Sequence, residues 1–181
     1  MRPKALIAGI AGLVGVVSTA LAAYTDPSIL TIEGEQRTVS DRYPVERLRS
    51  EFQNVEIETR TPWTKDGEVV KFRGPRIADV LRKHGLSSSK SVQFIAYDNF
   101  TSEILLEEIN TYNPIFAIDR ACQNMDRKLG RCSADQQFTP LSPDEQGPIF
   151  LVWPYDRLPT AYVPARNSIW VWFVVAVRPV Q

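Results

Sequence analysis
Apolar and polar positions alternate or recur along this chain in short stretches, and most of those stretches have the period of a strand. Asn54 to Arg60 places Val55, Ile57 and Thr59 on one side and Glu56, Glu58 and Arg60 on the other, the pattern of a strand with one wet face. Glu68 to Phe72 returns as a second strand, so Thr61-Pro62-Trp63-Thr64-Lys65-Asp66-Gly67 between them reads as a hairpin tip carrying an aromatic. Further strands are expected at Ser28–Ile32, Val92–Tyr97, Thr101–Leu106, Ile115–Ile118 and Pro148–Trp153. Ser168 to Val177 is a continuous apolar run whose β-branching, with Trp170 and Trp172, predicts a central strand with both indoles on one packed face.

Helical spacing is rarer. Ile77, Val80, Leu81 and His84 recur at i, i+3, i+4 and i+7, and Pro75 suits the first turn of the helix they define. Gly85 is placed to end it in a left-handed cap with Leu86 folding back, and His84 faces inward as a hydrogen-bonded core histidine. A second helix is expected from Pro44 to about Ser50, capped by Ser40 or Asp41, with Val45 and Leu48 inward. Asp119 to Gly147 is polar and turn-rich and reads as a long loop, of the kind that is functional or disordered. These pieces sum to one α+β domain of seven or eight strands in a mixed sheet with two or three short helices, and no linker divides it.

The first residues stand apart. Arg2 and Lys4 precede an apolar stretch from Ala5 to Val17, and Ala20-Leu21-Ala22 has the small-x-small form of a signal-peptidase site. Residues 1–22 are therefore expected to be a cleaved signal peptide and 23–181 the exported, periplasmic domain. An uncleaved anchor is the rival, because Ala5 to Thr25 carries no charge. Export changes the meaning of Cys122 and Cys132. In an oxidising compartment a disulfide across their polar loop is the natural pairing. The formal net charge of +0 argues against a general binder of nucleic acid.

Four blocks in order then carry a resemblance. They are Trp63 with Val70-Lys71-Phe72-Arg73-Gly74-Pro75 and the helix to Gly85; Ala96-Tyr97-Asp98-Asn99-Phe100; Pro114 to Ala117; and Gly147 to Pro154 followed by Ser168-Ile169-Trp170-Val171-Trp172. Their order and spacing over residues 50–178 resemble the molybdopterin-binding domain of the sulfite oxidase superfamily, in its small exported form. That family holds molybdenum through a cysteine thiolate near the end of the early strand. Here the region Glu56 to Trp63 offers only Thr59 and Thr61, whose hydroxyls stay protonated and ligate a soft, oxidised metal poorly. An arginine-rich pocket for an oxyanion substrate is not evident either. The resemblance thus implies the fold without the redox chemistry: no molybdenum and no catalytic residues.

Similar cysteine-less exported proteins bind a reduced pterin and report it to a membrane-bound enzyme of cyclic-dinucleotide signalling, and the resemblance carries this expectation to the chain. A pterin needs an aromatic face and a polar edge. Trp63 is the stacking candidate; Asp98 and Asn99, in a turn, and Asp119, after a buried strand, are candidates for the edge. Tyr97 and Arg157 lie at strand ends where a site could be completed, although Tyr155, Asp156 and Arg157 could equally form a structural ion pair. Two other readings stay open. One is a periplasmic interaction protein with no small ligand, docking through residues 121–147. The other is a molybdopterin-dependent oxidoreductase, for which no nucleophile–base pair is visible around the single histidine.

Overall fold
The computed structural model describes residues 24–34, 38–64 and 67–180. The expected signal peptide lies outside the described residues. The strands are β1 (Ile29–Glu33), β2 (Val39–Pro44), β3 (Asn54–Thr59), β4 (Val70–Pro75), β5 (Ser91–Ala96), β6 (Thr101–Leu105), β7 (Ile115–Ala117), β8 (Asp119–Ala121), β9 (Phe138–Pro140), β10 (Phe150–Val152) and β11 (Val174–Pro179). The α-helices are α1 (Val45–Glu51), α2 (Ile77–Lys83), α3 (Leu106–Tyr112) and α4 (Asn124–Lys128). The fold is α+β with mixed sheets.

Three sheets share the core. The largest has the order β2-β1-β11-β5-β6, in which β1 and β11 run parallel and the other pairs antiparallel. The second, β3-β4-β8-β9, is antiparallel throughout, and β10 pairs with β7 between the two. Phe94 of the first sheet meets Phe116 of β7 edge-on, and Phe72 of the second meets Phe150 of β10. Each such ring, fully buried, contributes about 2 kcal/mol. Gly74 sets the spacing between sheets. A Cβ there would stand 1.8 Å from the carbonyl oxygen of Phe116, so only glycine lets β4 approach β7 this closely.

The helix expected around residues 77–84 forms as α2, with Ile77, Val80 and Leu81 buried. Gly85 follows in the left-handed region at φ 72°, and Leu86 folds back into the core. Pro75 is not in its first turn; it ends β4, and Arg76 stands at the N-cap. His84 is held at both nitrogens, Nε2 2.9 Å from the Tyr43 hydroxyl and Nδ1 3.1 Å from Ser40 Oγ. Ser40 and Asp41 do not cap α1. They lie in β2, an edge strand whose polar residues hide its pairing with β1, and Asp41 binds Arg47 at 3.0 Å.

Three expectations change. Leu106, expected to close a strand, starts α3, where Glu108 Oε2 turns back to accept the Leu105 amide. Residues 119–147 are not an unstructured loop: they hold β8, α4, β9 and a 3-10 turn at Pro143–Glu145. The Ser142-x-x-Glu145 spacing is a capping signature, and Glu145 Oε2 accepts both the Ser142 amide and its hydroxyl. Finally, Ser168 to Phe173 is not strand. A 3-10 turn covers Asn167–Ile169, Phe173 adopts φ 48°, and pairing begins only at Val174.

The Cys122–Cys132 disulfide is formed, with Cα atoms 6.2 Å apart. It closes the α4 segment beside a buried ion cluster. Arg120 grips Asp126 with two bonds of 2.5 and 2.8 Å and reaches Glu145 through Nε at 2.6 Å. No helix among the described residues is long and apolar enough to cross a membrane, and the disulfide fits an oxidising compartment.

Candidate functional site
Breaking the last strand early places an aromatic cleft at one end of the large sheet. Phe173, in the left-handed region, donates its amide to Gln146 O (3.2 Å) and accepts from the Tyr97 amide (2.9 Å). This kink turns successive side chains of the Trp170–Phe173 run in different directions, so the two indoles do not share a strand face. Trp170 is buried, packed against Phe150 and Tyr155 with ring centres 6.3 Å away in both cases. Trp172 is half-buried and meets Trp63 edge-to-face, centroids 4.6 Å apart. Trp63 arrives from the β3–β4 loop, 42% exposed.

Asp98 and Phe100, from the turn between β5 and β6, and Asn167 complete a cavity of about 330 Å³ with these indoles. Its walls are chiefly apolar, but three buried polar atoms belong to residues that line it: Trp170 Nε1, Trp172 Nε1 and Asn167 Oδ1 make no hydrogen bond within the protein. Burying such groups unpaired costs about 1–3 kcal/mol each. These atoms are buried behind the wall rather than on its surface, and what the cavity offers a ligand is an aromatic face beside Asp98, which suits a flat heterocycle.

Of the candidates drawn from the sequence, Trp63 and Asp98 come together here. Asp98 Oδ1 also accepts the Phe100 amide at 2.9 Å, which fixes the turn. Asn99 occupies the left-handed position of that turn at φ 68° and is not part of the wall, and the neighbouring Tyr97 ring is 48% exposed outside it. Asp119 is elsewhere: buried, it receives Arg49 at 2.8 Å and Arg73 at 2.7 Å, tying α1, β4 and β8 together. Arg157 lies on a different groove, beside β3, and Asp156 binds Arg60 at 2.9 Å. Trp170, Trp172 and Asn167 were not among the sequence candidates; the break before β11 keeps Trp170 in the core and turns Trp172, half-buried, toward Trp63.

Trp63 also borders a second, more polar cavity of about 200 Å³, lined by Thr61, Gln123, Arg120 and Glu145 among others. Thr59 and Thr61 are engaged structurally. Thr59 Oγ1 accepts the Tyr155 amide at 2.9 Å and donates to Arg60 O, while Thr61 Oγ1 bonds Thr64 Oγ1 at 2.9 Å. Both cysteines are in the disulfide, so the described residues offer no thiolate. They do not fit a thiolate-held molybdenum centre, and no cluster of three or more metal-ligating side chains occurs among them. No protein-family model matches the sequence, and no curated protein is significantly similar to it.

Proposed function
We propose that this chain is a non-catalytic, exported binding protein for a flat heterocycle of the reduced-pterin type, built on a variant of the sulfite-oxidase-like fold. The observation that carries the reading is a cavity that joins the aromatic wall of Trp63 and Trp172 to the exposed carboxylate of Asp98. A pterin carries a flat face for the indoles, and a ring N–H and an exocyclic amine for the Asp98 carboxylate. The cavity volume falls in the range of about 300–1,000 Å³ usual for small-ligand sites. In the same reading the bound state is reported to the periplasmic domain of a membrane-bound cyclic-dinucleotide enzyme.

The test is to denature protein purified from the periplasm, identify the released small molecules by mass spectrometry and fluorescence, and titrate the emptied protein with tetrahydropterin. A stoichiometric pterin without molybdenum is expected. Asp98→Asn, which keeps the turn's bond to the Phe100 amide but removes the charge, should weaken tetrahydropterin binding about tenfold, the worth of one charge-assisted hydrogen bond at its lower range. Trp63→Ala should weaken it while leaving the melting temperature nearly unchanged. An empty protein that fails to bind tetrahydropterin would refute the reading. It would favour a pure interaction role through α4, where Met125 and Leu129, one turn apart within the disulfide loop, are 58% and 59% exposed.

A further inference from the structure
On the opposite flank from the large sheet, β3 is an edge strand, paired only with β4. Its open groups can be assigned. Ile118 donates its amide to Arg73 O at 3.0 Å, so the Arg73 backbone faces away from β3. In an antiparallel ladder the direction alternates, which turns the Phe72 backbone toward its partner Ile57. Val55, Ile57 and Thr59 therefore exchange hydrogen bonds with β4, whereas Asn54, Glu56 and Glu58 present their N–H and C=O groups outward.

A groove of about 210 Å³ runs beside this edge, between Val55 and Ile57 on the strand and Tyr112, Pro154, Arg76 and Arg157 across from it. The two arginines of the groove have no carboxylate partner among the described residues, unlike most arginines elsewhere in the core and sheets. Arg49 and Arg73 share Asp119, Arg60 binds Asp156, Arg82 binds Asp79 and Arg166 binds Glu108. Arg76 makes no ion pair or side-chain hydrogen bond among the described residues, and Arg157 makes only a 3.4 Å bond to Thr111 O. The remaining acid of the groove, Glu56, is 3.6 Å from Lys71. An open hydrogen-bonding edge thus lies next to two guanidinium groups with no carboxylate of their own.

We infer that the edge of β3 and the arginine-lined groove beside it form a strand-addition site for an extended segment of a partner protein with acidic side chains at alternate positions. In strand addition the main-chain bonds supply affinity, and alternate side chains enter the flanking groove. Side chains on the Val55–Ile57 face would meet Arg76 and Arg157, so acids are favoured there. A second copy of this chain is a poor occupant, because antiparallel pairing of two β3 strands about Ile57 would set Glu56 of each against Glu58 of the other, and like charges directly opposite destabilise. The site shares no lining residue with the aromatic cleft and does not rest on the pterin reading.

The probe is a blocked synthetic peptide of about six alternating glutamate and threonine residues, added at millimolar concentration to the full chain with its disulfide intact, and read by amide hydrogen exchange. Exchange at Glu56 and Glu58 should slow about tenfold, with the amides of Val55 and Ile57 unchanged. The same peptide with lysine for glutamate, or N-methylated on its edge-facing amides, should give no protection. Arg76→Glu with Arg157→Glu should abolish it without changing the far-ultraviolet circular dichroism, since both side chains are exposed. Absence of protection by the glutamate peptide, or equal protection by the lysine peptide, would overturn the inference. So would shifts confined to Arg76 and Arg157 that inorganic phosphate reproduces, which would mark a small-anion pocket. The N-methylated peptide keeps the test decisive should the double variant fail to fold.

Discussion

Arg120→Met should be among the most damaging single substitutions in this protein. The Arg120 side chain is 7% exposed and that of Asp126 3%, and the two share a bidentate contact whose carboxylate also accepts the Gln123 amide at 2.7 Å. Methionine fills most of the volume, so the loss is electrostatic: Asp126 would be left charged and unpaired in the interior. Removing one partner of a buried pair costs about 3–5 kcal/mol. With a urea m-value of about 2 kcal/mol/M for a domain of this size, the unfolding midpoint at pH 7 should fall by about 2 M. The pH dependence separates charge from packing. Hydrogen bonding from Arg120 is the main cause that holds the Asp126 carboxyl at about 2, against the opposing effect of burial. Its native value lies below the unfolded one, so it contributes at most about 2 kcal/mol above pH 4 and loses that as the pH falls toward 2. In the variant the carboxyl gains a proton more readily, which relieves the buried charge. The gap between the two proteins should therefore be widest at neutral pH and close as the pH falls from about 4 to 2. Urea titrations at pH 7 and pH 3 with the disulfide intact measure both points. A gap that is the same at both, or under about 1 kcal/mol at pH 7, would refute the electrostatic account.

Gly74→Ala should cost more than about 3 kcal/mol and lower the melting temperature by about 10 °C, because the new methyl collides with the Phe116 backbone rather than with a movable side chain; a loss under about 1 kcal/mol in a thermal melt would contradict the close approach. His84 should titrate below its ordinary value in a histidine NMR experiment, since burial disfavours its charged form. The unfolded chain then binds more protons just below pH 6.5, so stability falls as the pH drops from there toward the native midpoint and levels off beneath it. Phe173→Gly should be more stable than Phe173→Ala by about 1 kcal/mol, because both lose the ring and only glycine accepts φ 48° without strain. The reverse order in urea titrations would show the backbone there to be relaxed.

Elements with a strong local period were legible in the sequence. The β3–β4 hairpin and α2 with its Gly85 cap are set by side-chain alternation and capping chemistry within a few residues, and both form close to the expected positions. The short disulfide likewise follows from two cysteines in one polar segment. What escaped was of two kinds. β2 is largely polar, β9 is only three residues long, and β8 carries charged residues whose burial depends on distant partners: Arg120 is buried only because Asp126 and Glu145 close over it, and Asp119 only because Arg49 and Arg73 reach it from α1 and β4. Those ion pairs join residues up to 70 positions apart, beyond any local pattern. α3 and the Pro143 turn, by contrast, announced themselves through Glu108 and the Ser142–Glu145 spacing, a signal outweighed by the surrounding polarity.

The error at residues 168–173 bears on the proposed site. A run of Trp, Val and Phe is apolar enough to continue β11 inward, and such a strand would have buried both indoles in the sheet. The chain instead places the bulky Phe173 in a conformation that L residues avoid, at a cost of order 1–3 kcal/mol. Backbone bonds from Tyr97 and to Gln146 hold the kink in place. It leaves Trp172 edge-on against Trp63, and the N–H groups of both Trp170 and Trp172 without a protein acceptor. Trp170 still packs in the core, but a regular strand would avoid both the strained residue and the orphaned donors. Local rules fail most often where a binding site requires it. The strained residue, the unpaired donors and the aromatic cleft coincide at one end of the sheet, and a flat ligand packed against Trp63 and Trp172 would add apolar burial there that the protein alone does not supply.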